Sequence, residues 1–135
     1  AFDMWGDGKQ TRSFMLVDDC VEGIIRLCNS DFHQPINLGS DAMVSMNQMA
    51  ALAMSFGDKH LAMNHIKGPE GVRGRNSDND LIKEKLGWAP GISLAVGLRK
   101  TYNWNKEQCD AEAAKGVDLQ KEYGSSCVWN SKFQK

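Results

Sequence analysis

The sequence predicts an α/β fold, because short apolar strands alternate with helices whose ends carry local signals. The segments Arg12–Val17 and Leu61–Ile66 are mostly apolar and have the length of strands. Ser45 and Gln48 have the spacing of a capping box, and Gly57 marks the end of the helix that they open. Three or four short strands are too few for a complete doubly wound domain. We therefore expect part of such a fold, with low stability on its own.

The N-terminal part is expected to contain a strand pair followed by a helix. Asp7-Gly8 is typical of a tight hairpin turn, which would pair the first strand with Arg12–Val17. Asp18 or Asp19 is expected to cap the following helix. Apolar residues at helical spacing predict one buried face for this helix, formed by Val21, Ile24, Ile25 and Cys28.

Three further elements follow from local signals. Pro35–Gly39 is predicted as a short strand that ends at a glycine. Ser77 or Asp78 is expected to cap a short helix, and Ser93 is expected to begin the longest helix. The second half of that helix, Glu107–Lys115, is polar on all sides, so we expect it to lie in solvent.

Charge and composition exclude several classes of partner. The 135 residues contain 16 basic and 17 acidic side chains, which gives a formal net charge of -1. Such a balance does not attract the whole protein to nucleic acid or to anionic membranes. No apolar run reaches the roughly 18 residues that span a bilayer. The four cysteines form no Cys-x-x-Cys pair. They are interpreted as structural thiols, and a cytoplasmic location is expected.

A glycine-spaced basic loop is the strongest candidate site in the sequence. It contains Arg73 and Arg75 among three glycines, Gly68, Gly71 and Gly74. Glycines allow a close approach of the backbone to a ligand, and each guanidinium can bind two phosphate oxygens. The loop also precedes a predicted helix N-terminus, which favours anions. The loop therefore predicts a diphosphate site, although an exposed Arg in a polar loop is often only solvated.

A second candidate segment lies at the start of the strand Arg12–Val17. Gln10, Thr11 and Arg12 offer an amide, a hydroxyl and a guanidinium in three consecutive positions. These groups can bind the polar parts of a ligand.

Other chemistry-bearing patterns are better explained by structure. Tyr102 and Lys106 have the Tyr-x-x-x-Lys spacing of a dehydrogenase pair, but they lie in the long terminal helix, where Tyr102 continues an apolar stripe. His60 and His65 have no nearby ligand set that would complete a metal site. Gly6-Asp7-Gly8 lacks the third glycine of a dinucleotide fingerprint. No catalytic, metal-binding or cofactor-binding residue is therefore assigned.

Five ordered segments carry a family resemblance: Gly6–Phe14, Val17–Gly23, Asn37–Gly39, Gly68–Asn79 and Leu86–Pro90. With these segments the chain resembles the C-terminal half of the extended short-chain dehydrogenase/reductase enzymes that act on sugar nucleotides. The resemblance implies an incomplete Rossmann domain together with a small substrate-binding α/β domain. It covers residues 1–126, whereas the tail 127–135 diverges, and it implies that an NAD-binding domain precedes Ala1.

Met4–Gly8, the Ser13 that follows Arg12, the loop Gly68–Asn79 and Tyr123–Ser126 make the likeness strongest to the family members that act on GDP-mannose. The resemblance implies oxidation of the sugar C4 hydroxyl by NAD, epimerisation at the acidified C3 and C5 positions, and return of the hydride. The product would be GDP-L-galactose, an ascorbate precursor. The reacting groups would all lie upstream of Ala1, so this chain alone is expected to be inactive, and a homodimer is implied.

The resemblance assigns substrate contacts to five residues. Gln10, Thr11 and Arg12 match a segment that contacts the GDP-sugar, Arg75 matches the arginine that binds its diphosphate, and Ser126 matches a terminal contact. Two alternatives stay open. The chain could belong to another NAD-dependent epimerase or dehydratase acting on a different nucleotide sugar. It could also be a non-catalytic module that binds sugar nucleotides or pairs with epimerase subunits.

Overall fold

The computed structural model describes residues 1–119 and 121, so Ser126 and the tail 127–135 lie outside the described residues. The chain divides into two units, Ala1–Arg99 and Lys100–Lys135. In chain order the elements are β1 (Phe2–Trp5), β2 (Thr11–Ser13), α1 (Val17–Cys28), β3 (Met43–Ser45), α2 (Met46–Phe56), β4 (Met63–Ile66), β5 (Gly74–Arg75), α3 (Asp80–Leu86) and α4 (Leu94–Ala114).

Two small sheets organise the first unit. β1 pairs in parallel with β4, which confirms most of the strand predicted at Leu61–Ile66. β2 is the central strand of the second sheet, where it pairs antiparallel with β3 and parallel with β5. Strands alternate with helices along the chain, so the α/β class is confirmed.

The predicted hairpin at Asp7-Gly8 is wrong, although a turn is present. Gly6 and Gly8 have positive φ angles of 74° and 65°, which glycine adopts without strain. However, β1 and β2 belong to different sheets. The backbone groups of the turn bond to distant residues: the Gly6 amide donates to the Ile66 carbonyl at 2.9 Å, and the Gly8 carbonyl accepts from the Asn47 amide at 3.0 Å. The turn therefore bonds to residues far away in the chain, and the hydrogen-bond ladder expected between β1 and β2 is not formed.

Strand boundaries also differ from the prediction. The strand expected at Arg12–Val17 ends at Ser13, because Val17 already begins α1. Pro35–Gly39 is not a strand: the Gly39 carbonyl accepts a 2.8 Å hydrogen bond from the Asn79 side chain instead of joining a ladder. The partner of β2 is β3, a three-residue strand that no local signal indicated.

Helix ends agree with the prediction where the cap is local. The capping box between Ser45 and Gln48 is formed, and α2 ends at Gly57 as predicted. The caps predicted for α1 are wrong, because Leu16 precedes the helix and the Asp19 carboxylate accepts from the Gly91 and Ile92 amides at 3.0 and 2.8 Å. The Asp19 carboxylate therefore makes a tertiary contact instead of capping α1.

The cap predicted for α3 is partly confirmed. Asn79 directly precedes the helix and makes no side-chain cap bond, but the Asp78 carboxylate accepts from the amide of Asp80, the first helical residue, at 3.0 Å. α4 follows Ser93 as predicted, and Glu107–Lys115 is mostly exposed, which confirms its solvated half. None of the described helices has both the length and the apolar character needed to cross a membrane.

The predicted buried face of α1 is wrong. Its apolar stripe is about half exposed or more at Val17, Val21, Ile24 and Ile25. The helix instead turns Gly23 toward Leu38 and Trp88. Within the described residues, Ile82 of α3 is the large apolar side chain that is fully buried, at 1% exposure. The sequence pattern identified an apolar stripe correctly, but it could not say whether the chain buries that stripe.

Candidate anion-binding site

Two arginines from distant parts of the chain are neighbours on adjacent strands. In the parallel register of β2 and β5, Thr11 pairs with Gly74 and Arg12 pairs with Arg75. Directly paired residues of parallel strands project on the same face of a sheet, so the two arginines share one face. A side chain in place of Gly74 would bring its Cβ within 3.0 Å of the Thr11 hydroxyl. The glycine therefore permits the close strand pairing that brings the arginines together.

Arg12 is held by backbone carbonyls. Its Nη1 donates to the Thr11 carbonyl at 2.7 Å, and its Nη2 approaches the Glu70 carbonyl at 3.4 Å. The side chain is half-buried. Carbonyls orient a guanidinium without cancelling its charge, and within the described residues Arg12 forms no ion pair. The positive charge therefore remains available to a ligand.

The Arg75 side chain is exposed and has no partner among the described residues. Among residues 1–119 and 121 its guanidinium forms no ion pair and no side-chain hydrogen bond. Arg12 and Arg75 place two positive charges on one face of the sheet without an ion pair among the described residues, and a dianion can bind both. The Arg12–Arg75 pair has the chemistry of a phosphate or diphosphate site.

Arg73, the other arginine of the basic loop, forms ion pairs with two carboxylates. Its two terminal nitrogens contact the two oxygens of Asp7 at 3.0 and 2.9 Å, and Nη1 also contacts Glu70 Oε2 at 2.9 Å. The hydrogen bond from Arg73, and then the one from the Lys9 amide, lower the pKa of Asp7 from 3.8 to about 2. The sequence predicted that both arginines of the loop could bind an anion. In the structure Arg73 forms ion pairs with Asp7 and Glu70 instead.

Gln10 and Thr11 lie beside this pair with different environments. Gln10 is 7% exposed, its Nε2 donates to the Trp5 carbonyl at 3.1 Å, and its Oε1 is buried without a hydrogen-bond partner. The Thr11 hydroxyl approaches Met43 Sδ at 3.6 Å. Because side chains alternate along a strand, Thr11 lies on the face of β2 opposite to Arg12. The three consecutive residues therefore do not present their side chains to one ligand surface.

Two residues near the site were missed by the sequence reasoning. Met43 is a large, half-exposed side chain against Thr11. Asp7 was interpreted only as a turn residue, yet it determines which arginine of the loop is free. Neither role has a local sequence signal, because each depends on a partner that is distant in the chain.

The other candidates of the sequence have structural roles. His65 Nε2 contacts Asn47 Oδ1 at 2.9 Å, and the described residues contain no group of side chains able to hold a metal ion. Lys106 pairs with Asp110 one helical turn away, which raises the pKa of Lys106. These contacts account for His65 and Lys106 without a ligand.

The described residues do not fit a dinucleotide. No helix follows the Gly6–Gly8 turn, and a Cβ at Gly8 would lie 2.0 Å from Asn47 Oδ1, so the turn is filled by protein. A separate cavity of about 490 Å³ is lined by residues that include Asp78, Asp80 and Glu84. Three carboxyl groups would repel phosphate, so this cavity is not the anion site.

Comparison with known proteins shows which enzymes this chain is similar to. No protein-family model matches the chain. It is 64% identical over 127 residues to the GDP-mannose 3,5-epimerase of Arabidopsis thaliana, which covers 94% of this chain and 33% of the enzyme. The chain is homologous to GDP-mannose 3,5-epimerase. It spans about a third of the length of the curated epimerases that it matches.

More distant relatives act on other nucleotide sugars. UDP-glucuronic acid decarboxylase 2 of Arabidopsis thaliana is 38% identical over 96 residues, which cover 70% of this chain and 22% of that enzyme. The structure of UDP-glucose 4-epimerase from Thermotoga maritima with UDP-glucose superposes with a TM-score of 0.75 and 27% identity. It covers 79% of this chain and 35% of that one.

A second solved structure supports the same fold relationship. UDP-glucuronic acid 4-epimerase from Bacillus cereus, in complex with UDP-glucuronic acid and NAD, superposes with a TM-score of 0.72 and 25% identity. It covers 78% of this chain and 34% of the other. The fold predicted from the sequence, a portion of an extended short-chain dehydrogenase/reductase, is confirmed by these neighbours.

Proposed function

We propose that this chain is the GDP-sugar-binding portion of a GDP-mannose 3,5-epimerase, and that Arg12 and Arg75 bind the diphosphate of GDP-mannose. The observation that carries the proposal is the pairing of these two arginines on one sheet face without a carboxylate. The high identity to the plant epimerases supports the choice of substrate. In the intact protein the activity would be the conversion of GDP-D-mannose to GDP-L-galactose.

Gln10, Thr11 and Ser126 are proposed as further substrate contacts. The buried Oε1 of Gln10 lacks a partner, and an amide oxygen in that position gains a hydrogen bond when a ligand hydroxyl or N–H reaches it. Thr11 is proposed on the resemblance, because its side chain lies on the other face of β2 and its backbone amide donates to the Arg73 carbonyl. Ser126 rests on the resemblance alone.

The redox and proton-transfer steps are proposed to belong to a part of the protein outside this chain. The described residues neither fit a dinucleotide nor contain a Tyr-Lys pair free of other partners. NAD would supply the reversible oxidation of the sugar when it is bound by a separate domain. The exposed apolar stripe of α1 supports the presence of a further packed surface in the working enzyme. The proposal includes a homodimer and a cytoplasmic location.

A chimera tests the proposal directly. The matched third of the Arabidopsis epimerase is replaced by this chain, and conversion of GDP-mannose is measured for the unchanged chimera and for Arg75→Ala. We expect activity in the first and a much weaker affinity in the second. Arg26→Ala is the matched control, because Arg26 is an exposed arginine whose ion pair with Glu22 lies within α1. Equal kinetics for Arg75→Ala and Arg26→Ala would reject the proposed diphosphate contact.

The relatives that act on uridine nucleotides favour one alternative substrate class. UDP-glucuronic acid decarboxylases share up to 38% identity with this chain, and the arginine pair would bind any nucleotide diphosphate. The chimera is therefore assayed with GDP-mannose and with UDP-glucose. Product formed only from UDP-glucose would identify a different nucleotide-sugar enzyme.

The fraction of the relatives' length that the chain covers favours a second alternative. Because it spans about a third of their length, it could act as a non-catalytic binding module. The isolated 135-residue chain is therefore titrated with GDP-mannose by calorimetry and examined by size exclusion. Binding without activity in the chimera would identify such a module.

A further inference from the structure

An ion-pair cluster joins the Gly6–Gly8 turn to the basic loop. Arg73 binds Asp7 through both of its terminal nitrogens and also binds Glu70, as described above. Asp7 and Arg73 are distant in sequence, so the cluster connects two segments that meet only in the folded chain. The Asp7 carbonyl also accepts a 3.1 Å hydrogen bond from the Asn47 side chain, which attaches the turn to α2.

The same loop residues contact β2 through their backbones. The Glu70 carbonyl approaches Arg12 Nη2 at 3.4 Å, and the Arg73 carbonyl accepts from the Thr11 amide at 2.8 Å. Glu70 and Arg73 therefore use their side chains to bind each other and their carbonyls to position the strand that carries Arg12. Arg75 lies two residues beyond Arg73, at the end of β5.

We infer that Arg73 is a positioning residue: held by Asp7 and Glu70, it sets the loop so that Arg12 and Arg75 meet one diphosphate. The inference rests on the proposed function, and it assigns to Asp7 and Glu70 a supporting role that sequence reasoning did not foresee. Arg73 itself makes no contact with the ligand.

The competing explanation is that Arg73 releases its carboxylates and binds the phosphate itself. Both explanations predict weaker binding when Arg73 is removed, but they differ for Asp7. If Arg73 were a direct ligand, Asp7→Asn would free its guanidinium and strengthen binding. The loss of a negative charge would also favour an anion by simple electrostatics. If Arg73 is a positioning residue, Asp7→Asn weakens binding despite the more favourable charge.

The experiment titrates the chimera described above with GDP-mannose and measures the dissociation constant for the unchanged chimera and five variants, of which Arg75→Ala reports on the proposed function. Arg73→Ala and Asp7→Asn are each expected to weaken binding roughly three- to tenfold, within the range of a small charged network. Arg73→Lys should restore only part of the loss, because a single ammonium cannot bind both oxygens of Asp7 and Glu70 together. Arg26→Ala is the control and should have no effect.

Two further measurements separate positioning from loss of the fold. Urea unfolding is measured for each variant, because exposed ion pairs contribute little to stability and the variants should remain folded. Glu70→Gln provides a second test if Asp7→Asn does not fold, and it should also weaken binding. The side-chain Nε–H resonance of Arg12 in a ¹⁵N spectrum without ligand should shift in Arg73→Ala and stay in place in Arg26→Ala.

The outcomes distinguish the inference from the proposed function. If the unchanged chimera does not bind GDP-mannose, the proposed function fails and the inference fails with it. If the unchanged chimera binds and Arg75→Ala weakens binding, while Asp7→Asn binds as well or better, only the positioning role is overturned. Weaker binding by Asp7→Asn, together with the shifted Arg12 resonance, supports it.

Discussion

Arg12 and Arg75 are directly paired on the parallel strands β2 and β5, and within the described residues neither forms an ion pair. Two like charges on one sheet face favour the binding of an anion. The relationship is therefore more informative about function than either arginine alone, and it leads to predictions on binding, stability and pH.

The first prediction concerns coupling between the two arginines. Arg12→Ala and Arg75→Ala should each weaken GDP-mannose binding by about 1.5 to 3 kcal/mol, because each removes a charge-assisted hydrogen bond. The double variant should lose less than the sum, since a diphosphate released by one arginine no longer lies close to the other. Calorimetric titration of the four proteins measures the cycle. Strict additivity would mean that the two residues do not share a ligand.

The second prediction separates binding from stability at Gln10. Gln10→Met removes a buried oxygen without a partner together with one hydrogen bond to the Trp5 carbonyl. An unsatisfied buried acceptor costs about 1 to 3 kcal/mol, so the apolar replacement should change the free energy of unfolding by less than about 1 kcal/mol.

Binding of GDP-mannose by the Gln10→Met protein should nevertheless become weaker, because the ligand loses its acceptor. Urea unfolding and titration of the same protein check both parts. A large loss of stability with unchanged affinity would assign Gln10 to the fold alone.

The third prediction contrasts two isoleucines. Ile82→Ala should destabilise the chain by about 2 to 5 kcal/mol, because Ile82 is 1% exposed and its removal leaves a cavity. Ile25→Ala should cost much less in the isolated chain, since the Ile25 side chain is half exposed. The free energies of unfolding from urea titration give the comparison.

The same pair tests what covers α1 in the complete enzyme. In the chimera with the remaining epimerase sequence, Ile25→Ala should become clearly destabilising if the apolar stripe is packed there. An equally small effect of Ile25→Ala in the isolated chain and in the chimera would show that the stripe stays in solvent.

The fourth prediction concerns acid. The pKa of Asp7 is lowered to about 2 in the folded chain, first by Arg73 and then by the Lys9 amide. A carboxyl with a lowered folded pKa stabilises the fold above its unfolded pKa, and that contribution is lost as the pH falls through the folded value. The unchanged chain should therefore exceed Asp7→Asn in stability near pH 6. The difference should shrink as the pH falls below about 4 and disappear only below about pH 2.

Urea unfolding across this pH range measures the effect. Asp31→Asn is the matched control, because Asp31 forms no ion pair with any described residue. A difference between the unchanged chain and Asp7→Asn that stayed constant down to pH 2 would contradict the assigned role of the carboxylate. The contribution is expected to be small, because the ion pair is exposed to solvent.

The success of sequence reasoning depended on the distance between interacting residues. Ser45 and Gln48 are three residues apart, so the capping box could be recognised and is formed. The hairpin at Asp7-Gly8 was recognised by the same kind of local signal and is wrong, because Ile66 and Asn47 bond to the turn. Asp19 failed as a cap for the same reason, since Gly91 and Ile92 take its carboxylate.

The sequence by itself determined the α/β class, the glycine-spaced basic loop and the ordered segments that relate the chain to sugar-nucleotide enzymes. These are encoded in local spacing and in residue order. Tertiary structure alone decided that Arg75 pairs with Arg12 and forms no ion pair with any described residue, while Arg73 is bound by Asp7 and Glu70. In the sequence, nothing distinguishes Arg73 from Arg75 as a ligand for an anion. Their difference arises from a carboxylate that only the folded chain brings near.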